Sequence, residues 1–134
     1  MSSFKVASHL KSVINTTTPI VLENEKASSP FHIRVSQYPA EPIILTYGAN
    51  RKTKHQGIIQ FDVITAIAVG QGVGQELIDL IISSTQFGNY VDANGFNFIV
   101  VKSYEMPAHL APKDTSGQKY IKSVAVEYEY FTWF

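Results

Sequence analysis

The sequence predicts an α+β domain in which a mostly antiparallel β-sheet carries two helices on one face. Several segments alternate apolar and polar residues with the two-residue period of a half-buried strand. Two other segments place apolar residues at the spacing of an amphipathic helix. Because the strands alternate and are not apolar throughout, one face of the sheet is expected to be buried, which favours antiparallel pairing.

Composition narrows the classes of protein to consider. The chain has 134 residues, of which 45% are hydrophobic and 16% charged, so we expect a single globular domain over residues 1–134. The formal net charge is zero, so no overall electrostatic field would attract the protein to nucleic acid or anionic lipid. The absence of cysteine excludes disulfides and thiolate sites. No signal-peptide core or membrane-length apolar run is present, which predicts a soluble intracellular chain.

The elements are predicted in the order α-β-β-β-α-β-β. Two helices are expected over residues 3–15 and 75–85. Strands are expected over residues 20–22, 31–37, 58–67, 96–104 and 120–131. Prolines, glycines and polar residues predict long loops at about 38–57 and 106–117. We interpret the first loop as a mobile, basic hairpin joining two strand ends.

Three glycines stand between a strand and a helix, where many phosphate-binding loops lie: Gly70, Gly72 and Gly74. The dinucleotide fingerprint would require a further glycine at Gln75, and a P-loop would require a lysine before the helix. Glu76 instead places a negative charge in the first turn. The glycines are therefore interpreted as a tight turn, with Gly74 near the N-cap, that allows a neighbouring backbone to approach closely. No cofactor is predicted.

No set of side chains predicts catalysis or metal binding. The four histidines lack the paired spacing of metal ligands: His9, His32, His55 and His109. His9 is expected on the solvated face of its helix. Three carboxylates are assigned to the solvent or interface face of the sheet: Asp62, Glu127 and Glu129. Since no nucleophile, base or oxyanion motif accompanies them, an enzyme is not predicted.

A basic cluster lies in the predicted hairpin loop: Arg51, Lys52, Lys54 and His55. It is either a solvated hairpin tip or an electrostatic contact with an acidic protein or with nucleic acid. The interleaved aromatic residues of a single-strand binder are missing from it. A protein surface is therefore the preferred partner, and any contact with nucleic acid would be to the backbone without base readout.

The order of these segments resembles the tail terminator proteins of long-tailed bacteriophages, the group that includes the lambda-type terminator. The resemblance rests on VSQYPAE at residues 35–41, a following basic loop, and GIIQFDV at residues 57–63. A glycine-containing turn, a helix and a final strand with a polar-aromatic ending over residues 124–134 complete the order. These motifs cover nearly the whole chain and are fold-level patterns without a catalytic signature.

The resemblance implies a structural, non-enzymatic protein of the virion, assembled in the host cytoplasm and placed at the head-proximal end of the tail. Such proteins form a homohexameric ring that stops polymerisation of the tail tube protein and presents the surface for head-tail joining. The implied partners are further copies of the chain, the tail tube protein, and a head-tail connector or head-completion protein. DNA would pass through the lumen without sequence-specific binding, and no membrane is involved.

Subunit or tube contacts are expected from the basic loop, the glycine turn and the aromatic C-terminus. The residues assigned to these contacts are Arg51, Lys52, Lys54, His55, Gly70, Gly72, Gly74, Tyr130, Trp133 and Phe134. Three alternatives remain open. They are another neck protein (a head-completion or tail-completion protein), a small-molecule or nucleotide binder using the glycines, and a hydrolase using Asp62, Glu127 or His32.

Overall fold

The computed structural model describes residues 2–14, 16, 18–22, 32–45, 52–66, 71–92, 94–106 and 119–133. Two helices and seven strands make up this part of the chain. They are α1 (Ser2–Val13), β1 (Ile20–Leu22), β2 (His32–Pro39), β3 (Ile43–Ile44), β4 (Lys52–Ala66), α2 (Gln71–Ser84), β5 (Gly88–Val91), β6 (Asn97–Glu105) and β7 (Lys119–Trp133). The predicted α+β class is confirmed.

The strands form one sheet in the order β1-β2-β4-β7-β6-β5, and β3 also pairs with β4. All neighbours are antiparallel except β1 and β2, which run parallel. The predicted element order is retained, with β3 and β5 added to it. These two strands have two and four residues, which is too short for a periodic pattern to identify.

The core lies between the two helices and one face of the sheet. On β4 the alternate residues Ile59, Phe61 and Val63 are almost fully buried there, as the two-residue period predicted. The helices and the neighbouring strands add further buried apolar side chains: Val6, Leu10, Ile33, Val35, Ile78, Ile81, Phe98, Val100, Val124 and Val126. Each such side chain contributes about 1.5–3 kcal/mol by leaving water.

The predicted loop at 38–57 is largely β-structure, so that prediction is wrong. Pro39 pairs with Gly57 and Ile43 pairs with Lys54, which leaves one extra residue on the β2–β3 side, as in a β-bulge. The N–H of Ala40 donates to the carbonyl of Gln56 (2.9 Å) within this irregularity. Prolines suggested a loop, but at a sheet edge and in a bulge the missing N–H costs no ladder hydrogen bond. Residues 46–51 lie outside the described residues.

Two further predictions about the helices are wrong. The helix α2 begins at Gln71, so Gly72 and Gly74 lie inside its first turns and not in a turn before it. Packing of α2 on the sheet outweighs the roughly 1 kcal/mol that each glycine costs a helix. His9 is not fully solvated, because its ring makes edge contacts with Tyr90 and Phe98. Gly70 and residues 107–117 of the second predicted loop lie outside the described residues.

A close contact between Gly57 and Tyr128 joins β4 to β7. A Cβ atom at Gly57 would lie 2.7 Å from the Tyr128 hydroxyl oxygen and 2.9 Å from the Cα of Pro39. Those distances are far below van der Waals contact, and one of the two neighbours is backbone. Glycine is therefore required here so that the Tyr128 ring can lie across the strand.

We expect Gly57→Ala to lower the free energy of unfolding by about 1–3 kcal/mol, because the new methyl group displaces Tyr128 or the Pro39 backbone. Gly74→Ala is the matched control. No atom lies within 4 Å of its added Cβ, so this helical substitution should raise stability by about 0.5–1 kcal/mol. Urea denaturation of both variants measures the difference, and equal midpoints would contradict the prediction.

Candidate interaction surface

A narrow β-ribbon extends beyond the body of the sheet. The strands β4 and β7 pair along their whole length, from Lys52 opposite Trp133 to Ala66 opposite Lys119. The neighbour β2 pairs with β4 only as far as Gly57, and β6 begins its pairing with β7 at Glu129. Beyond those points β3 is the neighbouring strand. We call residues 43–45, 52–56 and 129–133 the ribbon.

The ribbon carries a run of exposed apolar side chains. Ile43, Ile44 and Leu45 are consecutive, and each keeps between 42% and 46% of its surface in contact with solvent. Tyr38, near the end of β2, is 52% exposed. Scattered apolar residues are normal on protein surfaces, whereas a contiguous apolar run indicates a contact with another molecule.

The lysines of the basic cluster, for which a solvated tip or an electrostatic contact was left open, make contacts within the ribbon. The Lys54 Nζ lies 3.1 Å from the Glu129 Oε2. The Lys52 Nζ lies 4.5 Å from the centre of the Phe131 ring, which is a cation–π distance. Arg51 lies outside the described residues. The positive charge is thus partly neutralised, which favours a protein surface over the phosphate backbone of nucleic acid as the partner.

His55 and Tyr130 belong to the interior of the ribbon. The rings of His55 and Tyr130 stack with centres 4.7 Å apart and planes within 5°. The His55 Nε2 also lies 3.0 Å from the Thr132 Oγ1. Tyr130 is only 8% exposed, so the expectation that it is an exposed C-terminal contact residue is wrong. Trp133 pairs through its backbone with Lys52, and Phe134 lies outside the described residues.

The sheet face without helices bears paired charges and two shallow clefts. Besides the pair at Lys54, the Lys102 Nζ lies 3.3 Å from the Glu127 Oε2. A cleft of about 370 Å³ is bordered by Ala40, Lys54, Val101 and Glu127, among others. A second, of about 270 Å³, lies between Lys52, Phe131 and the start of β6. Both are open, and the ion pairs at the first leave it with little net charge.

A buried polar network lies at the centre of this same face. The Asp62 Oδ1 accepts hydrogen bonds from the Gln60 Nε2 (2.8 Å) and from the Ser123 Oγ (2.6 Å). All three residues are at most 9% exposed. The carboxylate is therefore held by fixed donors, and its contacts are those of a structural group.

The residues proposed for a hydrolase do not form one cluster. Asp62 pairs with Ser123, whose Cα lies four residues, or roughly 13 Å, along β7 from the Cα of Glu127. Glu127 is engaged by Lys102. His32 is buried on β2 opposite Ile64. Within the described residues, no group of three or more His, Asp or Glu side chains is placed to hold a metal ion.

The exposed apolar run of the ribbon was not predicted from the sequence. Pro39 and Pro42 precede Ile43, Ile44 and Leu45, and they predicted a mobile loop for this segment. The available signal was an apolar run without alternation directly after two prolines, which is compatible with a short edge strand beside a longer one. Of the expected contact residues, the structure brings together Lys52, Lys54 and His55 on the ribbon and separates them from Gly72 and Gly74 on α2.

Comparison with known proteins identifies the fold and no activity. The sequence matches no model of a known protein family and no curated protein. A solved structure, known only by a sequence identifier that states no function, matches with a TM-score of 0.68 at 12% identity. The match covers 96% of this chain and 90% of the other. None of the helices that the structure describes combines the length and the apolar character needed to span a membrane.

Substitution of Asp62 tests the buried network. We expect Asp62→Ala to lower the free energy of unfolding by about 2–4 kcal/mol, because Gln60 and Ser123 lose their buried acceptor. Asp79→Ala is the matched control, since Asp79 is exposed and accepts one hydrogen bond from Gln75; its effect should stay within about 0.5 kcal/mol. Urea titrations that gave the two variants equal stability would argue against the network.

The loss of folding stability at alkaline pH tests the raised pKa of the Tyr128 hydroxyl. Burial, and secondarily the neighbouring Tyr130, raises the pKa of the Tyr128 hydroxyl from 10.0 to about 12. The folded state therefore favours the neutral phenol, and this contribution is complete below pH 10 and is lost as the pH rises towards 12. It amounts to at most about 3 kcal/mol. Tyr128→Phe should flatten the fall in stability over this range, as measured by urea unfolding; an unchanged slope would contradict the assignment.

Proposed function

We propose that this protein is a phage tail terminator, which forms a ring on the head-proximal end of the tail tube, stops tube polymerisation and provides the surface for head-tail joining. The exposed apolar run of Ile43, Ile44 and Leu45 on the projecting ribbon is the observation that carries the proposal. It is a surface that gains free energy by meeting another protein.

The segments that carry the family resemblance lie at the base of the ribbon, which supports the proposal. The VSQYPAE segment, residues 35–41, ends β2 and enters the bulge. The GIIQFDV segment, residues 57–63, begins where β4 leaves the ribbon and enters the core. These two stretches thus join the ribbon to the sheet. The residues that carry the family resemblance therefore set the direction in which the ribbon projects.

The chemistry of the ribbon suits contact with a protein ring or tube. Its Lys54 and Glu129 are paired with each other and its Lys52 lies over the Phe131 ring, so only part of its charge must be removed from water without compensation when the surface is covered. Burial of each half-exposed apolar side chain contributes about 1 kcal/mol. Repetition of such a weak contact around a ring gives a strong total attachment by multivalency.

A single added charge tests the proposal. In a mixture with the tail tube protein of the same phage, the wild-type chain is expected to cap one end of each tube and limit its length in negative-stain images. Ile44→Lys should reduce the capped fraction about fivefold or more, since an exposed apolar contact is replaced by a charge that must be desolvated. Lys54→Glu is less suitable, because it breaks the ribbon's own ion pair.

Ser83→Lys is the matched control, because it adds the same charge at an exposed position on α2. Normal capping by Ile44→Lys would contradict a role for the ribbon. Failure of the wild-type chain to bind tubes would contradict the proposed function. Binding to a connector ring in place of the tube would identify the protein as a different neck component.

A further inference from the structure

The strand β5 forms an open edge of the sheet. In the described sheet it pairs with β6 alone and ends the strand order. Its segment, FGNYV at residues 87–91, contains neither a charged residue nor a proline. Natural edge strands are commonly protected by lysine, proline or a bulge, because unpaired backbone groups recruit other strands. This edge is short, with four residues, but it lacks the charged, proline and bulge devices, and within the described residues its outer side is open for pairing.

The register shows which backbone groups face the open side. The N–H of Asp92 donates to the carbonyl of Phe96 (2.9 Å), so these two residues form a hydrogen-bonded pair. In an antiparallel ladder such pairs alternate. Tyr90 therefore bonds to β6 opposite Phe98, whereas Asn89 and Val91 direct their N–H and C=O groups away from β6.

The same outward-facing positions carry exposed side chains. Phe87, immediately before β5, is 77% exposed, Val91 is 53% exposed, and Asn89 is exposed between them. Asn89 pairs with Ile99, which pairs in turn with Glu129, so it lies on the face without helices. The edge thus combines free backbone groups with an apolar, polar, apolar order of exposed side chains.

We propose that β5 pairs antiparallel with β5 of a second copy of this chain, with the two Asn89 residues opposite each other at the two-fold axis. In this register Phe87 faces Val91 of the second copy at both ends, so apolar surface meets apolar surface. The two Asn89 residues form a hydrogen-bonded pair at the axis, and at each end the outward N–H and C=O groups of Val91 face the backbone of Phe87 of the second copy. A shift by two residues would place Asn89 against an apolar side chain.

The helix-side positions of the edge leave room for the same register, which sets Gly88 opposite Tyr90 of the second copy. The Tyr90 ring stays with its own chain, because it stacks on Phe98 and its hydroxyl donates to the carbonyl of Gln86 (2.7 Å). No other side chain of the described residues fills the space above Gly88. The self-complementary order of Phe87, Asn89 and Val91 on the other face is the argument for a second copy over an unrelated strand.

The contact is independent of the proposed function. It is isologous, since the same surface is used by both copies, whereas the contacts within a cyclic ring are heterologous. It would join two single chains, or two rings, through the β5 edge, whereas the exposed apolar run of the ribbon lies at β3, on the other side of β4 and β7. Loss of this contact should accordingly leave tube capping by the ribbon intact.

Charged substitutions at Asn89 test the proposal. The wild-type chain is expected to dimerise in a sedimentation equilibrium series, and Asn89→Lys should raise the dimer dissociation constant about fivefold or more by placing like charges at the axis. Asn89→Asp should do the same, and a mixture of the two variants should restore dimers. Asn94→Lys is the control, because Asn94 is exposed in the adjacent turn and not on the edge.

Cross-linking supplies a second measurement. The chain has no cysteine, so Asn89→Cys introduces a single thiol. The Cα atoms of a hydrogen-bonded antiparallel pair are about 5.5 Å apart, within the range of a disulfide. Under mild oxidation Asn89→Cys should form covalent dimers faster than Asn94→Cys. Equal cross-linking rates, a wild-type monomer at every concentration, or oligomers that Asn89→Lys leaves unchanged would each overturn the proposal.

Discussion

The pairing of β4 with β7 is the interaction on which the rest of the molecule depends. It is a continuous antiparallel ladder from Lys52 opposite Trp133 to Ala66 opposite Lys119. Along one part of it, β2 and β6 add to its two sides and both helices pack over it. Along the other part the two strands leave the body of the sheet and form the ribbon. One ladder therefore supplies both the centre of the core and the candidate contact surface, so a disturbance in either place reaches the other.

Side chains along this ladder alternate between the two faces of the sheet, so the residues that stabilise the core differ from those that can contact other molecules. The side chains that point to the helices, such as Phe61 and Val124, are buried and apolar. Those on the opposite face either satisfy one another, as Asp62 and Ser123 do, or pair as ions near solvent. This face and the ribbon tip can therefore meet other molecules without exposing the core. This distribution agrees with the role in assembly that we propose, and the two clefts described on this face are both open.

The elements with a long regular period could be predicted from the sequence. The alternation of Ile59, Phe61 and Val63 predicted the central strand and its buried face. The ribbon could not be predicted, because prolines beside an edge strand give the same local signal as prolines in a loop. The first turns of α2 were missed since the helix is stabilised there by packing that outweighs the preference of Gly72 and Gly74. Tyr130 was assigned to the surface although its alternation with Glu129 indicated burial.

The unbroken register of the β4–β7 ladder has a mechanical consequence. The pairing shows no shift between the ribbon tip and the core, and Gly57 lets the Tyr128 ring cross the ladder where β2 ends. The ribbon and the core thus form one continuous, rigid unit. A load along the strands is shared by many backbone hydrogen bonds in shear, which must break together, and is passed to the sheet under both helices. A sideways load acts on a narrower root, made of β4, β7 and the short strand β3, so the ribbon is stiffer lengthwise than across.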